Sequence, residues 1–163
     1  MDNNQKTLKY QHTLIMTGAA LIIFGIWRVI KWAMSILFAQ SYMHSIIPDD
    51  ILQDPALLIR VYAGLFLITG IQFLVQLYIG GSAIKDAHGT RKRQIPYLIA
   101  AGALIIYECR SLIRMFSNFS LNHLAVFDKI LTGVEDIVVI AFAVELMIAA
   151  VRLRKYRNMH VTG

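Results

Sequence analysis

Four long apolar stretches dominate the chain, separated by short polar segments. The first runs from Thr13 to about Phe38 and is broken by Arg28 and Lys31. The second runs from Ala56 to about Ala83, the third from Pro96 to Phe116, and the fourth from about Phe127 to Val151. None alternates strictly, so the pattern does not predict strands. Crossing about 30 Å of hydrocarbon takes about 20 helical residues, and each stretch is that long. The pattern predicts an all-α, polytopic membrane protein. It is a single transmembrane domain over residues 1–163, with helices at about 13–38, 56–83, 96–116 and 122–153.

Local signals place the helix ends. Asp54-Pro55 offers a capping carboxylate followed by proline at the first helical position. Pro96 opens the third helix in the same way, and Ser120 or Asn122 can cap the fourth. Gly80-Gly81 is expected to weaken the end of the second helix before a polar loop.

Composition agrees with the pattern. Hydrophobic residues make up 57% of the chain and charged residues 16%, against about 45–50% and about 25% in ordinary soluble domains. A chain of 163 residues cannot hide that much apolar surface in one aqueous core. The net charge of +6 comes from residues at the ends of the apolar stretches, so it orients helices and leaves no nucleic-acid footprint. Lys6 and Lys9, then Lys85, Arg91, Lys92 and Arg93, then Arg152, Arg154, Lys155 and Arg157 mark one side of the membrane. The segment holding Asp49, Asp50 and Asp54 marks the other. Basic segments stay in the cytoplasm, so both termini and the middle loop are expected inside. The expected location is a cell membrane of the bacterial inner-membrane type, crossed several times. The first helix lacks a cleavage pattern and is expected to stay as an anchor.

An internal repeat is also visible. Ala20-Leu21-Ile22-Ile23-Phe24 resembles Ala103-Leu104-Ile105-Ile106-Tyr107, and Val75-Gln76-Leu77 resembles Val144-Glu145-Leu146. Two pseudo-repeated helical hairpins would give a pseudo-symmetric four-helix bundle, although Leu-, Ile-, Val- and Ala-rich segments match one another easily.

The charges inside the apolar stretches are the candidate site. With this topology Arg28, Glu108, Arg110, Glu135 and Asp136 fall in the outer half of the layer, within roughly 10 Å of its midplane. A charge at the centre costs about 2.5–3.5 kcal/mol, so these groups are expected to face one another or a wet cavity. Glu108 points nearly opposite Arg110 on its own helix, which makes Arg28 its expected partner and leaves Glu135 and Asp136 for Arg110. Lys31, Arg60 and Arg114 lie further out and can snorkel. Thr69, Gln72 and Gln76 form a polar stripe on the second helix. Glu145 stands in the inner half without an evident basic partner and is expected buried. The cluster reads either as interhelical ion pairs that fix packing or as the lining of a polar pathway.

Other chemistry is thinly represented. Cys109 reads as a small buried hydrophobe. His44, Asp49 and Asp50 are too loose a set for a metal site, and none of the usual hydrolase, phosphate-loop or paired-cysteine motifs is present. Trp27, Trp32, Tyr42, Tyr62, Phe116 and Phe119 read as an interfacial aromatic belt. The expected function is non-enzymatic and cofactor-free. It is either an accessory or assembly subunit of a membrane complex or a small homo-oligomer, in contact with lipid and with a membrane-protein partner or its own copies. The competing expectation is a small transporter or channel protomer.

Overall fold

The computed structural model describes residues 3–38, 54–89, 95–117 and 123–161. These form four helices: α1 (Asn3–Phe38), α2 (Pro55–Ala87), α3 (Pro96–Ser117) and α4 (His123–Val161). No strand occurs among the described residues. Among the described residues two helices are long and apolar enough to cross a membrane, over Gln5–Met34 and Pro55–Ala87. In α2 the most apolar window is 0% buried within the fold. The helices α3 and α4 carry acidic and basic residues inside their apolar stretches.

The start of α2 has the expected cause. The Asp54 side chain accepts hydrogen bonds from the Ala56 and Leu57 backbone N–H groups at 2.9 and 3.4 Å, with Pro55 at the first helical position. Its end differs from expectation. The helix runs through Gly80-Gly81 to Ala87 and closes at Gly89, whose φ of 72° is left-handed. Gly80 instead serves packing. A Cβ there would lie 2.3 Å from the Gly18 carbonyl oxygen, and a Cβ on Gly18 would lie 2.9 Å from that of Gly80. Two backbones meet here because neither residue has a side chain. The N-terminal end of α1 and the C-terminal end of α4 reach further than the apolar pattern alone, to Asn3 and Val161. The candidate caps Ser120 and Asn122 lie outside the described residues.

The bundle is up-down-up-down. Antiparallel packing of α1 on α2 brings Gly18 to Gly80 and Trp32 to Phe66. Antiparallel packing of α1 on α4 stacks Tyr10 on Tyr156 at one end and brings Lys31 to Glu135 at the other. The third helix packs along α4 and makes a narrower contact with α2. A core of Leu14, Leu21, Ile79, Leu104, Val139, Leu146 and Leu153 fills the middle.

The pseudo-symmetry read from the sequence fails at its most specific pair. A two-fold axis along the bundle would give Gln76 and Glu145 like environments, yet Gln76 is fully buried and Glu145 is exposed.

Candidate functional site: a buried charge network

Near the end of the bundle where α2 begins, four helices contribute to one network. Arg28 on α1 donates from Nη1 to Glu108 Oε1 at 2.6 Å and from Nη2 to Glu108 Oε2 at 3.1 Å. The same Nη2 reaches Asp136 Oδ1 on α4 at 2.5 Å. Gln72 on α2 donates to Glu108 Oε1 at 2.8 Å. Lys31, one turn along from Arg28, donates to Glu135 Oε2 at 2.9 Å and to the Thr132 hydroxyl at 3.1 Å. The Trp27 indole N–H donates to Glu135 Oε1 at 2.9 Å. Glu108, Glu135 and Asp136 are all buried.

Helix phase explains the membership. Residues 28 and 31 share one face of α1, and that face points at α4. The adjacent acids Glu135 and Asp136 diverge around α4, so one meets Lys31 and the other Arg28. The expected pairing of Arg28 with Glu108 is present. The expected partners of Arg110 are a correction: Glu135 and Asp136 turn to α1, and Arg110 is exposed. Two residues along a helix is about 200° of turn, so once Glu108 faces inward, Arg110 faces outward. Cys109 is likewise exposed, not buried. Lys31 is paired inside the bundle and does not merely snorkel, whereas Arg60 and Arg114 are exposed.

The polar stripe of α2 divides. Gln72 joins the network, and Thr69 is half-buried above it. Gln76 is fully buried, with neither carboxamide atom hydrogen-bonded among the described residues. Its Oε1 lies where a Cβ on Gly25 would come within 2.6 Å, so glycine at 25 makes room for it. Glu145 stands apart on the outer face of α4, a correction to its expected burial.

A second polar cluster closes the opposite end and was not read from the sequence. The Tyr97 hydroxyl donates to Asp86 Oδ2 at 2.7 Å, and Arg154 Nη2 reaches the same oxygen at 3.2 Å. Arg157 donates to the Asp86 and Ala87 carbonyls at 2.9 and 2.8 Å, where the last carbonyls of α2 lack helical partners. Asp86 and Tyr97 are buried. The usable signal was Asp86 itself, a single acid next to an otherwise basic segment.

Between the clusters lies a mostly apolar layer of Leu21, Ile79, Leu104, Val139 and Leu146, all buried, with the buried Gln76 among them. To one side, α2 and α3 leave a cleft of about 370 Å³ lined by Ile68, Ile71, Gln72, Val75, Ala100, Ala103, Leu104 and Tyr107. No group of three or more His, Cys, Asp or Glu side chains among the described residues is arranged to hold a metal ion. Of the aromatic residues expected in a belt, Trp27 is tied to Glu135 and Trp32 packs on Phe66, while Tyr42 and Phe119 lie outside the described residues, as do His44, Asp49 and Asp50. Comparison with protein-family models, with curated proteins and with solved structures finds no match to this chain.

Proposed function

We propose that the chain is a four-pass membrane protein with both termini in the cytoplasm, acting without catalysis as an accessory or assembly subunit of a membrane complex or as a small homo-oligomer. Two observations support four crossings. α4 meets α1 at both ends, through Tyr10 with Tyr156 and through Lys31 with Glu135. α3 meets α2 near its start through Tyr97 with Asp86, and α1 past its middle through Arg28 with Glu108. These contacts run α3 and α4 alongside α1 and α2, which supports four crossings. Glu108, Glu135 and Asp136 are turned inward, which lowers their cost in lipid, while Arg110, Arg114 and Glu145 are exposed. Lys6, Arg152, Arg154 and Arg157 gather at one end of the bundle, as cytoplasmic ends do.

The observation that carries the assembly reading is the closure of the outer network. Arg28 pairs with Glu108 and Asp136, and Lys31 with Glu135, across three helices, and a mostly apolar layer holding the buried Gln76 lies beneath them. A conducting pathway needs polar continuity across the layer; ion pairs that satisfy one another between helices are suited to holding those helices in register. The test is gentle purification of the full chain from its own membrane, with co-purifying chains identified by mass spectrometry and stoichiometry by native mass. A stoichiometric partner or a defined homo-oligomer is expected. A lone monomer that carries ion flux in vesicles contradicts the reading.

A further inference from the structure

Resting on the membrane reading above, we propose that the outer face of α4 around Glu145 docks onto the outer face of α2 around Tyr78 in a second copy of this chain. The mid-layer exterior of the inner half is almost wholly apolar. Among the described residues two polar side chains interrupt it: Tyr78, 48% exposed, and Glu145, also exposed. A carboxylate facing lipid is unfavourable, and such groups turn to a partner.

The two lie at one depth. Each stands seven residues before an exposed basic residue on its own helix, Lys85 for Tyr78 and Arg152 for Glu145, which is about 10 Å inward from the charged end at 1.5 Å per residue. The helices run in the same direction. Internal contacts agree to within about one turn: Phe24 packs on Phe142, and Gly18 on Gly80, so that Leu21 is level with both Tyr78 and Glu145. Copies of a membrane protein share one orientation, so only groups at equal depth can meet. A phenol O–H that donates and a carboxylate that accepts satisfy that condition.

Shape points the same way. One turn outward, Leu74 is 61% exposed on α2 and the small Ala141 is exposed on α4, so a large side chain faces a small one. The two faces belong to helices on opposite corners of the bundle, which meet only slightly. The contact is therefore head-to-tail, and it generates a ring or a row of copies. Lys85 and Arg152 then lie at the aqueous edge, where water and salt screen them.

The experiment uses two differently tagged full-length copies in a Cys109→Ser background, one with Leu74→Cys and one with Ala141→Cys, co-expressed and oxidised in the native membrane. A disulfide joining the two tags is expected, with its yield reduced about fivefold or more by Tyr78→Phe or Glu145→Leu. Cross-linking of the Ala141→Cys copy with itself, or yields indifferent to Tyr78 and Glu145, overturns the proposal. Absence of cross-links from a protein that resists carbonate extraction also overturns it and leaves the membrane reading standing. Recovery of the protein in the soluble fraction overturns both.

Discussion

The Arg28 guanidinium holds both carboxylate oxygens of Glu108, 80 residues further along the chain, and with its Nη2 also holds Asp136. One cation thereby ties α1 to α3 and α4. Removing it leaves two buried carboxylates without their counter-ion. Arg28→Ala is expected to destabilise the protein by about 3–5 kcal/mol, read by denaturant or thermal unfolding in detergent. The triple variant Arg28→Met, Glu108→Gln, Asp136→Asn should recover most of that loss, because no uncompensated charge remains. If the triple variant is no more stable than Arg28→Ala, the pairs do not act as a unit.

Arg110 supplies the contrast. It sits two residues from Glu108 and faces out of the bundle. Arg110→Ala is expected to change unfolding stability by less than about 0.5 kcal/mol. A loss comparable to that of Arg28→Ala would place Arg110 inside the network.

Glycine packing gives a matched pair. Gly80→Ala meets the Gly18 carbonyl and Ile22, whereas a Cβ at Gly70 meets nothing within 4 Å. Gly80→Ala should cost about 1–3 kcal/mol as the helices are forced apart. Gly70→Ala should be neutral or gain up to about 1 kcal/mol from helix propensity. Equal effects at the two positions would contradict the close approach of α1 and α2.

The clamp at the other end predicts a local effect. Arg157→Ala frees the Ala87 carbonyl and leaves that of Asp86 with only the Gly89 N–H. Hydrogen exchange should rise at the last turn of α2 and stay unchanged at Arg28 and Glu108. Uniform protection along α2 would show that Arg157 does not hold this end.

The sequence was most legible where one local rule decided the outcome. Asp54-Pro55 starts α2 because a carboxylate and a proline each suit their position in the first turn. Arg28 meets Glu108 because the phase of α3 leaves one inward direction for the acid. That same phase turns Arg110 outward, away from Glu135 and Asp136, its expected partners. The clamp of Asp86, Tyr97, Arg154 and Arg157 was illegible for another reason. It joins three helix ends, and a run of basic residues at a membrane boundary already has a sufficient role in orientation. Gly80-Gly81 was misread because glycine weakens an isolated helix and yet permits close packing of two helices; only the partner, Gly18, decides between these. The outward position of Glu145 depends on which face of α4 the other helices cover, which residue spacing does not specify when apolar residues surround the helix.

The central claim is that all four helices cross a membrane, and alternating accessibility tests it most directly. Single cysteines replace Ala56, His88, Ser117 and Lys155, all exposed near helix ends, in a Cys109→Ser background. Intact cells are then treated with an impermeant thiol reagent. Labelling from outside is predicted at 56 and 117, with 88 and 155 labelled only after lysis. If 88 and 117 label from the same side, α3 does not cross, and the four-pass account is wrong.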